Sequence, residues 1–163
     1  MKVGIIMGSL SDYPTVERAE KILAGFGVDY ETRIISAHRT PSVAEEFASG
    51  AESDGIEVII AAAGKAAHLA GVIASYTPLP VIGLPVKSST LDGLDSLLSV
   101  VQMPNGVPVA TVAIGGAENA ALLAVQILSV KYAELRSAMK VYKESMEREV
   151  MKVDSEFRRA GGS

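Results

Sequence analysis

Short apolar runs along this chain alternate with longer segments in which apolar residues recur every three or four positions. The runs lack strict alternation of apolar and polar residues, which is typical of strands buried on both faces of a parallel sheet. The longer segments predict amphipathic helices, so the chain is expected to form successive right-handed βαβ units. The predicted strands are 3–7, 30–35, 57–62, 81–84 and 109–114, and the predicted helices are 13–26, 41–53, 66–75, 93–101 and 117–128.

Polar residues and prolines mark where several of these helices begin. Ser11 or Asp12 can cap the first helix, Thr40 the second and Asp92 the fourth, because short polar side chains accept hydrogen bonds from a helix's first turn. Pro41 follows Thr40 at a position where a missing N–H does no harm. The alternation predicts an α/β fold of three layers, with a flavodoxin-like, doubly wound parallel sheet, over residues 1–130.

The segment 131–159 differs from the rest because it is densely charged. It predicts a long helix with a narrow apolar stripe, which packs either on its own domain or on a neighbouring subunit. Residues 160–163 are expected to form a flexible end. The residues of the stripe are Tyr132, Leu135, Met139, Tyr142, Met146 and Val150.

Composition narrows the classes of function. The chain has 163 residues, of which 48% are hydrophobic, and this suits a single domain with its own core. It has no cysteine, which excludes disulfides and cysteine-ligated metals. The net charge of -4 argues against nucleic-acid or membrane-surface binding, but a local site for an anionic small molecule remains possible. No apolar run approaches the roughly 20 residues of a membrane span. The short apolar N-terminus is interpreted as a strand and not a signal peptide, so we expect a cytoplasmic protein.

Three polar loops, at 8–12, 36–41 and 63–68, follow the first three predicted strands. If the strand order is 2-1-3-4-5, these strands are neighbours and their loops converge where such sheets bind ligands. Each loop precedes a helix N-terminus, which favours anions, and the hydroxyls of Ser9, Ser11 and Ser36 and the guanidinium of Arg39 add donors suited to phosphate. Ser9 and Ser11 could instead be only turn and cap residues.

The chain's two histidines, His38 and His68, both lie in these loops. Histidine titrates near neutrality, so either could move a proton, although a structural or simply exposed role is the alternative. A metal site made by both histidines with Asp12 is a weaker interpretation, because no further ligand is evident. Asp12 could also accept hydrogen bonds from ribose hydroxyls, and Lys65 is either a cation for the ligand or a solvated side chain.

Six motifs occur in order between about residue 3 and residue 128: MGSLSD at 7–12, SAHRTP at 36–41, AAHL at 66–69, PVIGLPV at 80–86, LDSLLSVVQMP at 94–104 and NAALLA at 119–124. In these motifs the chain resembles the class I N5-carboxyaminoimidazole ribonucleotide mutases of bacterial purine synthesis. The resemblance implies that a carboxylate moves from the exocyclic nitrogen to C4 of the imidazole through release and recapture of CO2. It implies no cofactor and no metal.

The resemblance also implies roles for individual residues. His38 would be the general acid/base; Ser9, Asp12 and Arg39 would hold the ribose and phosphate with help from Ser11 and Ser36; His68 and Gly64 would line the pocket that retains CO2. The expected partners are the ribonucleotide, CO2 and further copies of the chain, because the family is octameric and its C-terminal helix contacts neighbouring subunits.

Two residues depart from the family's pattern. Lys65 stands where the commonest form has a second glycine, and Ala70 stands where proline is usual. A second class of the family carboxylates aminoimidazole ribonucleotide directly with CO2 and has a different third-loop motif. Direct carboxylation therefore remains an alternative, as does a nucleotide-binding module without catalysis.

Overall fold

The computed structural model describes residues 1–89 and 91–161, and in them it shows one sheet of five parallel strands. The strand order is β2-β1-β3-β4-β5 and each pairing is parallel, so the predicted order and fold class are confirmed. The strands are β1 (Lys2–Met7), β2 (Asp29–Ile34), β3 (Ile56–Ala63), β4 (Val81–Pro85) and β5 (Ala110–Thr111).

Helices cover both faces of this sheet and give it two apolar cores. Val3, Ile5 and Met7 point from β1 into a core completed by α1, α5 and α6, whereas Ile6 points into the opposite core with α2, α3 and α4. The alternation follows from the two-residue period of a strand and makes a three-layer fold. The helices are α1 (Tyr13–Gly25), α2 (Pro41–Gly50), α3 (Leu69–Tyr76), α4 (Leu94–Val101), α5 (Ala117–Leu128) and α6 (Ala133–Arg159).

Two predicted helix starts are wrong, and left-handed residues explain both. The helix expected from residue 66 begins at Leu69, because Lys65 has a φ of +56° and the following residues form a turn in which the His68 N–H bonds the Ala66 carbonyl at 2.9 Å. Asp92 does not cap α4. It has a φ of +53°, its carboxylate pairs with Lys87 at 3.1 Å, and Gly93 is the N-cap instead.

Other boundaries differ by a few residues. The predicted strand 109–114 is regular only over Ala110–Thr111, at the edge of the sheet, although the Val112 N–H still donates to the Gly83 carbonyl at 3.1 Å. Helix α2 ends at Gly50, before the predicted residue 53. Asp12 and Thr40 occupy the N-cap positions of α1 and α2, but neither side chain makes a capping bond.

Helix α6 is 27 residues long and divides into a packed half and an exposed half. Leu135 and Met139 are buried in the core beside α5, and the ring centroid of Tyr142 lies 5.6 Å from that of Phe26. Further along, apolar side chains face solvent in the single chain: Met146, Val150, Met151, Val153 and Phe157. Gly162 and Ser163, part of the end expected to be flexible, lie outside the described residues.

Candidate active site

The three predicted loops meet in a cavity of about 590 Å³ at the carboxyl edge of the sheet. The loops follow β1, β2 and β3, and these three strands are neighbours in the observed order. Seven of the eight predicted site residues line the cavity: Ser9, Ser11, Asp12, Ser36, His38, Arg39 and Gly64.

The first loop forms a short 3-10 turn, Leu10–Asp12, that leads into α1. The Ser9 hydroxyl accepts hydrogen bonds from the Ser11 backbone N–H at 3.3 Å and from the Ser11 hydroxyl at 3.0 Å, so the two hydroxyls lie side by side at the cavity wall. Burial raises the pKa of Asp12, an effect that hydrogen bonds from Ser11 and from the Ser9 backbone partly offset. A half-buried carboxylate at this point can accept hydrogen bonds from ligand hydroxyls.

The Arg39 side chain reaches from the second loop across to the first. Its Nη2 donates to the Gly8 carbonyl at 2.9 Å and its Nε to the Ser36 hydroxyl at 3.3 Å. The loop itself is closed by Thr40, whose hydroxyl bonds both the N–H and the carbonyl of Ser36 at 3.0 Å. Among the described residues Arg39 pairs with no carboxylate, so its positive charge is available to an anionic ligand.

The two histidines are in direct contact. His38 Nε2 lies 3.0 Å from His68 Nδ1, and the two rings are nearly perpendicular, at 89°. One nitrogen must donate and the other must accept, so the contact couples the tautomers of the two rings. His68 is not among the residues that line the main cavity; it lines a separate groove of about 320 Å³ formed by α3, α4 and the residues that follow α4.

Small and apolar residues make up the rest of the cavity wall on the side of β3. Ala37, Ala63, Ala66 and Leu69 line it, next to Gly64 and Lys65. The side chains of the alanines and of Leu69 form no hydrogen bonds with water, so this part of the wall suits a small apolar molecule.

The sequence-based prediction missed a fourth loop, which follows β4. Lys87, Ser88 and Ser89 line the cavity, and the Ser88 hydroxyl donates to the Asp95 carboxylate at 2.9 Å. A signal was available, because β4 is parallel to β3 and its loop must emerge at the same edge.

The geometry does not support the metal site considered from the sequence. In residues 1–89 and 91–161, no three histidine or acidic side chains are grouped so that they could hold a metal ion.

In the same part of the chain, no helix is long and apolar enough to cross a membrane.

Comparison with known proteins finds a family match over most of the chain. A family model described as AIR carboxylase matches residues 2–149. The chain belongs to the AIR carboxylase family. Among curated AIR carboxylase relatives, an N5-carboxyaminoimidazole ribonucleotide mutase of Thermotoga maritima is 63% identical over 150 residues, which cover 92% of this chain and 88% of that protein. One of the same name from Pyrococcus abyssi is 63% identical over 147 residues, covering 90% and 84%.

A solved structure of the AIR carboxylase family shares the same architecture. The crystal structure of Treponema denticola PurE superimposes with a TM-score of 0.88 at 33% identity, covering 95% of this chain and 97% of that one. The likeness extends over nearly the whole chain and therefore includes most of the long C-terminal helix.

Proposed function

We propose that this protein interconverts N5-carboxyaminoimidazole ribonucleotide and 4-carboxy-5-aminoimidazole ribonucleotide in purine synthesis. It is then an isomerase, in keeping with the names of its 63% identical relatives. The structural observation that carries the proposal is the composition of one cavity. A histidine, an arginine that meets no carboxylate of the described residues, paired serine hydroxyls and an apolar wall face the same space.

The chemistry needs one group that gives a proton and takes one back. In the first step the bond between the exocyclic nitrogen and the carboxylate carbon breaks, His38 gives its proton to that nitrogen, and CO2 is formed. In the second step C4 of the imidazole attacks CO2, and the C4 proton passes to His38. The proton count is restored, so no external acid, base or oxidant is consumed.

The polar wall of the cavity supplies what holds the nucleotide. Arg39 offers a planar cation for phosphate, and Ser9, Ser11 and Ser36 add hydroxyl donors beside it. The Asp12 carboxylate accepts from the ribose hydroxyls. These contacts keep C4 close to the released CO2 and so turn recapture into an intramolecular event.

The apolar wall supplies what retains CO2. Ala63, Gly64 and Leu69 line the cavity. CO2 held against this wall, beneath the bound nucleotide, would be kept from bulk water. His68 holds the His38 ring in place through the contact between their nitrogens.

Assembly and location complete the proposal. The exposed apolar side chains on the second half of α6 pack on a neighbouring copy in a cytoplasmic homo-octamer, as the family resemblance implies. Residues 1–130 then form the catalytic domain and 131–159 the arm. Light scattering coupled to size exclusion measures the assembly, and a monomer at micromolar concentration would contradict it.

The decisive experiment supplies the N5-carboxylated nucleotide to purified protein in buffer with ¹³C-labelled bicarbonate. A mutase forms the C4-carboxylated product with little label, because it recaptures the CO2 it releases. Fully labelled product would favour direct carboxylation of aminoimidazole ribonucleotide. Binding without conversion would support a non-catalytic module, and either result would overturn the proposal.

A further inference from the structure

Lys65 is an exposed residue that combines a place in the cavity wall with a strained backbone. It lines the cavity in the third loop, and its φ of +56° lies in the left-handed region that disfavours side chains with a Cβ. That conformation costs roughly 1–2 kcal/mol for a residue other than glycine. Among the described residues its ammonium has no hydrogen bond or ion pair. Backbone strain retained beside a cavity points to a role for the side chain in the site.

The positive charges of the cavity are divided between its walls. Arg39 is tied by hydrogen bonds to the Gly8 carbonyl and the Ser36 hydroxyl, so it serves the wall made by the first two loops. Lys65 belongs to the third loop, three residues before the histidine that contacts His38. The ammonium of Lys87, in the fourth loop, is already paired with Asp92 at 3.1 Å.

This division matches a ligand with two separate anionic groups. If the phosphate lies by Arg39 and the ring carbon lies by His38, the group nearest the third loop is the carboxylate that moves. We propose that Lys65 is a specificity-determining residue that binds this carboxylate. The inference rests on the proposed function.

A lysine in this position interacts with the substrate and the product more strongly than with the intermediate stage, in which CO2 is free. Both carboxylated nucleotides carry a negative charge that the ammonium attracts, whereas CO2 is neutral and the uncarboxylated nucleotide lacks the charge. The interaction therefore strengthens binding of substrate and product without lowering the barrier between them. Its loss should therefore raise KM without lowering kcat, and kcat rises to the extent that the charge has left the carboxylate in the transition state.

The test compares wild-type protein with Lys65→Met, which removes the charge and keeps a long side chain and the strained backbone. Calorimetry measures the Kd of 4-carboxy-5-aminoimidazole ribonucleotide and of uncarboxylated aminoimidazole ribonucleotide. The proposal predicts about tenfold weaker binding of the first, which corresponds to about 1.4 kcal/mol, and unchanged binding of the second. Steady-state kinetics should show KM rising by a similar factor with kcat not reduced.

Lys21→Met provides the matched control, since Lys21 is an exposed lysine on α1 whose loss changes the net charge equally. Lys65→Arg, which keeps a cation, should recover most of the selectivity. Equal loss of affinity for both nucleotides would overturn the proposal by assigning Lys65 to the phosphate, and so would unchanged affinity for both. A fall in kcat at constant KM would also overturn it. Failure of wild-type protein to convert either carboxylated nucleotide would instead refute the proposed function, which separates the two outcomes.

Discussion

Charged residues at the amino edge of the sheet are ion-paired, whereas two cations at the carboxyl edge meet no carboxylate of the described residues. At the amino edge, Glu57 at the start of β3 accepts hydrogen bonds from Lys131 Nζ and from the Tyr132 hydroxyl, both at 2.8 Å. Lys2 and Glu31 pair nearby at 2.7 Å. At the carboxyl edge, Arg39 and Lys65 line a cavity, and in the described part of the chain neither meets a carboxylate.

The difference indicates two roles. Ion-paired side chains stabilise the folded state, whereas cations without an acidic partner are available to bind an anionic ligand. A cation paired within the chain has its counter-charge already, and its loss affects the free energy of unfolding. A cation left unpaired in a concave site is complemented by an anion from outside, and its loss affects binding. The predictions below test this division, beginning with the largest expected effect.

The His38→Asn variant should lower kcat by about 100- to 10,000-fold, the usual contribution of a general acid or base. His38 is exposed and outside both cores, so the melting temperature should stay close to that of wild-type protein. Turnover and thermal denaturation measured on the same preparation check the two statements together. A variant that turns over at the wild-type rate would remove His38 from the mechanism.

The Arg39→Met variant should weaken binding of carboxylated and uncarboxylated nucleotides alike by about 10- to 100-fold. A hydrogen bond to a charged group contributes roughly 1.5–3 kcal/mol, and the phosphate is common to all these ligands. Titration calorimetry with both ligand types measures the effect. Loss of affinity for only one of them would show that Arg39 does not bind the phosphate.

The Glu57→Gln variant tests the opposite edge and should lower stability by about 1 kcal/mol without changing KM. Burial acts to raise the pKa of Glu57, but hydrogen bonds from Lys131 and Tyr132 outweigh it and hold that pKa below its usual value. The stabilisation is therefore present above the pKa of glutamate in the unfolded chain, and it is lost as the pH falls through the lower pKa of the folded state.

Urea denaturation at several pH values measures this dependence. The difference in stability between wild-type protein and Glu57→Gln should be full near neutrality and should shrink below about pH 4. A difference that grows on acidification would contradict the assigned sign. A change in KM for the nucleotide would contradict the division between the two edges.

The Lys65→Gly variant should produce the smallest change in stability, a gain of about 0.5 kcal/mol. Glycine adopts a positive φ freely, and the relief of strain exceeds the entropy that glycine adds to the unfolded chain. Thermal denaturation should show a slightly raised midpoint, while selectivity for carboxylated nucleotides should fall as in Lys65→Met. A lowered midpoint would show that the Lys65 side chain supports the fold.

Much of the fold could be predicted because it depends on periodicity. The run at residues 57–62 is apolar at almost every position, which predicts a buried parallel strand. The strand order was assumed from the flavodoxin-like fold class, and the structure has that order. Asp92 shows that hydrophobic periodicity does not predict the backbone conformation of a single residue before a helix. Its identity suits an N-cap, but a left-handed backbone sets where its side chain points, and tertiary contacts decide that backbone.

The site was predictable to the extent that strand ends define it. Placing polar residues after β1, β2 and β3 indicated seven residues that line one cavity, whereas the contact between His68 and His38 depends on helix α3 starting later than expected. Lys87 and its neighbours were missed because the loop after β4 carries no histidine or arginine to draw attention to it. The roles of all these residues in chemistry stay predictions.

The length of α6 has a consequence for backbone dynamics. A helix of 27 residues extends for roughly 40 Å, and only its first half is anchored by Leu135 and Met139. Peptide helices without tertiary support are marginal in water, so in a lone chain amide hydrogens near Phe157 should exchange by fraying, while those near Leu135 should exchange only when the domain opens. Faster exchange near Phe157 than near Leu135 would therefore show that the second half of α6 is uncovered in the lone chain.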